Sequence, residues 1–285
     1  MKEKTYRLIY NCPDQTGLVS RTTQFITELG GWITEASQHS DVESGRFFSR
    51  LEIKANTISL NLEAFKTAFT PLATELKMDW RMVESDYRQK LVIMASKQSH
   101  CLSDLLNRWH EGDMQCDIVA VISNHNDQRC LVEHYGINYH HVPIDKHNKE
   151  KTFNEISNLI KEYATDTIVL ARYMQIIPKD LCERYPHRII NIHHSFLPSF
   201  IGAKPYHQAA ARGVKLIGAT CHYVTEELDQ GPIIEQDVER VTHSEDIDDL
   251  VRVGKDVEKR VLARGLQYHL EDRVMVHGNK TVILN

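Results

Sequence analysis

The residues best suited to chemistry lie in two stretches. Asn191 and His193 sit in Ile190-Asn191-Ile192-His193-His194-Ser195-Phe196-Leu197-Pro198, and Asp229 in Leu228-Asp229-Gln230-Gly231-Pro232. Asparagine offers a neutral amide donor, histidine a group that titrates near neutrality, and aspartate a carboxylate. Together they suffice for attack on a carbonyl without a covalent enzyme intermediate. The amide holds the developing oxyanion, and the imidazole and carboxylate move protons. On extended chain, positions i and i+2 face one side, so Asn191 and His193 point together and His194 points away. Gly231 and Pro232 set Asp229 in a loop that can carry it back over them.

These side chains need a frame. Ile189 and Ile190 read as the end of a buried strand, and Pro198 and Gly202 force irregular chain after it. Ligands of open α/β sheets bind at such carboxyl ends. Apolar runs at Leu91 to Met94, Asp117 to Ile122, Asn138 to Val142, Thr167 to Leu170 and Arg188 to Ile192 alternate with helical patterns at 102–109, 128–135 and 152–163. This predicts βαβ units and a Rossmann-like, mostly parallel sheet with helices on both faces. Two further strands, Leu216 to Thr225 and Ile233 to Val241, flank Asp229 and extend the sheet antiparallel. Thr220 and His222 alternate toward one face and are expected to hold Asp229 and an attacking water. A helix containing Tyr206 and His207 precedes them. A long amphipathic helix follows from Ile247, and Thr281 to Leu284 is expected as a last edge strand. No G-x-G-x-x-G is present, which excludes a dinucleotide fingerprint.

The first 84 residues read as a separate module, with the boundary at the polar break 84–89 and the second domain spanning 85–285. Strand, helix and turn signals give βαββαβ, the ferredoxin-like order. The turn Asn11 to Gly17 leads into a helix with its stripe at Leu18, Thr22, Phe25, Ile26 and Leu29. Asp14, Thr16 and Gly17 stand at that helix start, where free N–H groups suit a carboxylate ligand or where the side chains merely cap the helix.

Composition narrows the class. The chain has 285 residues, 41% hydrophobic and 26% charged, as in globular proteins. A net charge of −5 gives no ground for a nucleic-acid partner. The start Met1-Lys2-Glu3-Lys4 shows no leader, and no apolar run predicts a membrane span. The 6 cysteines are scattered without C-x-x-C pairing, consistent with reduced thiols and a cytoplasmic setting. No metal is expected, because His193-His194 has no H-E-x-x-H or carboxylate spacing around it.

In combination, Asn191-x-His193, Ser195-x-Leu197-Pro198, Gly218-Ala219-Thr220, His222 and Asp229-x-Gly231-Pro232 resemble the folate-dependent formyltransferase fold. Two departures, His194 and Phe196, and the run Gly202-Ala203-Lys204-Pro205-Tyr206-His207-Gln208, are similar to the 10-formyltetrahydrofolate deformylases within it. The resemblance implies Asn191, His193 and Asp229 as the catalytic triad. It implies hydrolysis of 10-formyltetrahydrofolate to formate and tetrahydrofolate, supplying formate for purine synthesis and balancing folate pools, with no cofactor. In Arg172-Tyr173-Met174-Gln175-Ile176-Ile177-Pro178, the Met/Ile patch alone reads as core packing. The resemblance instead makes Met174-x-Ile176-x-Pro178 a wall of the pterin pocket, and Arg172, Met174, Ile176, Thr220 and His222 are expected to bind substrate. The first module, with Cys12-Pro13-Asp14-x-x-Gly17-Leu18, resembles an ACT domain, which implies an amino-acid effector and a homo-oligomer, and the deformylase resemblance suggests glycine or methionine as that effector.

Two other readings remain. A formyltransferase would pass the group to an amine such as glycinamide ribonucleotide or a charged tRNA. A sensor would keep only a folate-binding remnant, against which the intact triad counts. The loop Met94 to Cys101 has no glycine for a phosphate cradle, and Gln98 and His100 are bulky enough to fill part of an acceptor's place.

Overall fold

The computed structural model describes residues 3–145, 147–199 and 205–285. They divide into two compact units. One comprises 1–87 with 271–277 and 282–285, the other 88–270 with 278–281.

In the first unit, β1 (Thr5–Pro13), α1 (Leu18–Glu28), β2 (Ile33–Asp41), β3 (Arg46–Lys54), α2 (Leu62–Glu75) and β4 (Asp79–Glu84) follow the expected βαββαβ order. The antiparallel sheet runs β2-β3-β1-β4. Alternation along β1 and β3 sends Leu8, Tyr10, Leu51 and Ile53 toward Leu18 and Ile26 of α1 and Phe65 and Phe69 of α2. The opposite residues, Ile9 and Phe48, are buried against Met275 and Leu284. Those come from a terminal hairpin, β12 (Val274–His277) with β13 (Lys280–Ile283), a separate two-stranded sheet. The expected edge strand at 281–284 is thus half of this hairpin. Leu284 is buried and Val282 half-buried against the cluster of Ile9 and Phe48, which places this segment on the face of the sheet.

The second unit carries β5 (Gln89–Ala95), α3 (His100–His110), β6 (Cys116–Ser123), α4 (Arg129–His134), β7 (Asn138–His141), α5 (Lys149–Glu162), β8 (Thr167–Ala171), α6 (Lys179–Arg184) and β9 (Ile189–His193). There follow α7 (Pro205–Arg212), β10 (Leu216–Tyr223), β11 (Ile233–Arg240) and α8 (Ile247–Leu270). They build a 7-stranded sheet in the order β11-β10-β9-β8-β5-β6-β7. Strands β9 to β7 are mutually parallel, and β10 and β11 extend the sheet antiparallel, as the sequence predicts. The chain leaves β5 toward β6 and β7, then returns to place β8 and β9 on the other side. The crevice between the carboxyl ends of β5 and β8 is therefore the topological switch point, where open α/β sheets bind ligands. Continuous burial of β5 and β8 explains their uninterrupted apolar sequences.

Candidate active site

Asn191 and His193 occupy the last turns of β9 and face one side of the sheet, as i and i+2 must. β10 runs antiparallel beside them, with His222 directly opposite Asn191 and Thr220 opposite His193. Side chains of such pairs are neighbours, and Asn191 Nδ2 lies 3.1 Å from His222 Nε2. The His222 Nδ1–H donates to the carbonyl of Tyr223 at 2.9 Å. A carbonyl only accepts, so Nδ1 carries the proton, and Nε2 is the acceptor for the Asn191 amide. The amide keeps its second N–H for a ligand.

Asp229 arrives from the β10–β11 loop. Its φ of 56° is in the left-handed region, an uncommon conformation for a side-chain-bearing residue and one that recurs at functional sites. Gly231 makes the approach possible: a Cβ there would stand 1.8 Å from the Tyr223 carbonyl oxygen. The carboxylate lies 3.2 Å from His193 Nδ1 and 3.7 Å from His222 Nε2. Burial alone would raise the Asp229 pKa, but the effects led by the hydrogen bond from His193 outweigh it and hold the carboxyl well below its ordinary range. His193 Nε2, the nitrogen remote from Asp229, is buried without a hydrogen-bond partner among the described residues.

These groups share a cleft of about 260 Å³. Met174 and Ile176 line it and are 57% and 66% exposed, so they form a wall open to a ligand and not helix packing. Ile177, Val224 and Leu228 complete the apolar lining. Arg172 also lines the cleft, with φ 62° at the end of β8. Its guanidinium turns toward Glu258 of α8, with Nε 3.4 Å from Oε2, and donates to Gln98 Oε1 at 3.0 Å.

Two expectations need correction. Thr220 is fully buried and does not hold Asp229. Its hydroxyl donates to the Ser195 carbonyl and accepts from the Leu197 N–H, so it props the loop after β9. His194 does not point away. The chain has left the strand by then, and the His194 ring is buried in the same cleft, 5.3 Å from that of His193. Burial, then the charge of Arg172, pushes its pKa down to about 3, so it is neutral.

Sequence reasoning missed Glu258 and Tyr206. A lone glutamate in the long amphipathic helix gave no signal by type, but its position on the apolar stripe, four residues from Leu262 and Gly254, could have flagged it. His100, Cys101 and Glu258 place ligand atoms within 4.8 Å of one another, close enough for an ion. The Arg172 guanidinium already supplies a cation to that carboxylate. Gly202, Ala203 and Lys204 lie outside the described residues. In the first unit, Asp14 and Thr16 are exposed and Gly17 caps α1 at φ 90° with no side-chain cap bond, so neither Asp14 nor Thr16 acts as its cap.

Comparison with known proteins gives the family. Residues 89–266 match the Formyl transferase family. The formyltetrahydrofolate deformylase of Synechocystis sp. is 46% identical over 283 residues, 99% of each chain. The crystal structure of a formyltetrahydrofolate deformylase from Pseudomonas syringae pv. tomato is 58% identical, covers 100% of this chain and 96% of that one, and superposes with a TM-score of 0.98. More distant is a glycinamide ribonucleotide transformylase from Symbiobacterium toebii, 27% identical over 70% of this chain and 95% of that one, at a TM-score of 0.66. Identity sustained through both units, and not only through the matched formyl transferase region, decides between these relatives: the chain belongs to the formyltetrahydrofolate deformylase family.

Proposed function

We propose that the chain is a hydrolase that cleaves 10-formyltetrahydrofolate to formate and tetrahydrofolate, with water as nucleophile. The observation that carries this reading is the meeting of Asn191, His193 and Asp229 at one end of an apolar cleft. The folate ring lies along Met174, Ile176 and Ile177, with backbone polar groups of that segment available to a flat heterocycle.

Water attacks the formyl carbon. The free Asn191 N–H donates to the carbonyl oxygen as charge develops. Asp229 holds the Nδ1 proton of His193, which leaves Nε2 facing the reacting group. Nε2 takes the proton of the attacking water and returns it to N10 as the carbon–nitrogen bond breaks. Asp229 Oδ2 is engaged by His193 Nδ1, which favours an orienting and charge-balancing role for the carboxylate over that of general base. The scheme uses no metal or cofactor.

The first unit acts as an ACT-type regulatory module in this reading, binding glycine or methionine near Asp14, Thr16 and Gly17 in a homo-oligomer. Its exposed helix start at Gly17, free of side-chain caps, supports the assignment. The released formate serves purine synthesis in the cytoplasm. Among the described residues no helix is long and apolar enough to cross a membrane. Steady-state hydrolysis by the wild type and by His193→Ala tests the catalytic part: a variant that keeps wild-type turnover removes His193 from the mechanism.

A further inference from the structure

The switch-point crevice between β5 and β8 is filled by the protein itself. Arg172 follows β8, Gln98 lies in the loop after β5, and the two side chains bond across the gap at 3.0 Å. Glu258 closes the cluster from α8. It is 1% exposed, accepts from Tyr206 at 2.5 Å, and lies 2.8 Å from His100 Nε2. Gly254, one turn earlier on α8, makes room for this: a Cβ there would stand 2.2 Å from the Tyr206 hydroxyl. Burial opposes ionisation of Glu258, but the His100 hydrogen bond and the Arg172 charge outweigh it, so the carboxyl sits below its ordinary range. A buried charge assembled from several elements is costly to break and rigid once made.

The cluster backs one wall of the catalytic cleft. Arg172 and His194 form that wall, and the His194 ring lies 6.1 Å from Tyr206. Arg172 Nη1 and His100 Nδ1 are buried polar atoms without a partner among the described residues, a setting suited to small polar molecules such as water.

We propose that the Arg172–Gln98–Glu258 cluster is the specificity determinant that restricts the nucleophile to water, by occupying the crevice in which a second organic substrate would otherwise sit. This rests on the hydrolase reading above. With the crevice filled, an amine larger than water is kept from the formyl carbon. With it open, an amine nitrogen bonds to that carbon, the carbon–N10 bond breaks, and the amine proton passes to N10.

The test is the partition of the formyl group between water and glycinamide, with 10-formyltetrahydrofolate as donor. Arg172→Gly/Glu258→Gln removes both buried charges together and suits the backbone at φ 62°. Gln98→Gly, at an exposed position, decides the matter should the double variant not fold. The wild type should release formate only, and a folded variant should form formylglycinamide with the amine-to-water ratio raised at least about tenfold, a transition-state difference of about 1.4 kcal/mol. A wild-type ratio in folded variants overturns the specificity proposal. Absence of formate release from the wild type would instead refute the hydrolase reading, so the two failures are distinguishable.

Discussion

His193 Nδ1 and Asp229 Oδ2 lie 3.2 Å apart although one side chain ends a central strand and the other hangs from a loop. The strand fixes the imidazole, and the left-handed backbone at Asp229, with the close approach at Gly231, fixes the carboxylate. Asp229→Asn should therefore lower kcat about 10²-fold or more with KM changed less, by analogy with the loss of an orienting carboxylate. Asn191→Ala removes the oxyanion donor and should cost about 10²–10³ in kcat. Steady-state kinetics on folded variants checks both, and near-normal turnover by either would remove that residue from the mechanism.

His222 reaches the chemistry through Asn191. Its Nδ1–H is pinned to the Tyr223 carbonyl, which presents Nε2 to the Asn191 amide. His222→Ala frees the amide to rotate, and kcat should fall about tenfold to 10²-fold, in the range seen when an orienting partner is removed. If Asn191→Ala and His222→Ala act on one interaction, the double variant should be no slower than Asn191→Ala. Independent, multiplying losses would contradict this coupling.

Gly231 has a packing constraint of its own. Alanine there drives a methyl into the Tyr223 carbonyl, so the loop or the end of β10 must shift. Gly231→Ala should cost about 1–3 kcal/mol, as overpacking does, and lower kcat by displacing Asp229. Thermal unfolding and kinetics read the two effects, and a variant unchanged in both would show that the loop yields freely.

Acid stability should reveal His194. Its folded pKa is pushed down to about 3 from an ordinary value of 6.5. The unfolded chain binds that proton first, so stability is lost as pH falls from 6.5 toward 3, at up to about 1.4 kcal/mol per pH unit. Asp229 and Glu258, both lowered, add losses only once the unfolded carboxyls begin to protonate below about pH 5. Chemical denaturation across this range should show the early loss in the wild type and a flatter profile in His194→Asn. Equal slopes would mean that His194 takes up its proton in the folded state.

The regulatory reading of the first unit has its own check. Calorimetric titration and initial rates with glycine and with methionine should show at least one effect. Neither heat nor rate change with either amino acid would leave a structural role. Truncation is less clean than the sequence suggests. Deleting 1–84 alone strips Met275 and Leu284 of Ile9 and Phe48, so the truncated chain should be less soluble than one that also lacks 271–285.

Local pattern carried much of this. The apolar runs of β5 and β8 are buried on both faces, that of β6 is so over its last four residues, and all three read as strands without ambiguity. Asn191 and His193 were legible because strand alternation is a short-range rule. Thr220 obeys the same rule and stands opposite His193, yet its hydroxyl is consumed by the loop backbone at Ser195 and Leu197. Where a loop recrosses a strand is a long-range fact that no local period encodes. The same holds for Glu258, whose partners Arg172, His100 and Tyr206 come from separate elements, and for the terminal hairpin, whose apolar residues match a face of β1 and β3 distant in sequence.

The most direct test of the central claim is the fate of the formyl group. Purified protein is given 10-formyltetrahydrofolate with and without saturating glycinamide ribonucleotide, and formate, tetrahydrofolate and formylated amine are quantified together. Formate and tetrahydrofolate should appear in equal amounts, at a rate independent of the amine, with no formylglycinamide ribonucleotide. Transfer to the amine at a rate above hydrolysis, or no formate without it, would contradict the assignment of water as the nucleophile.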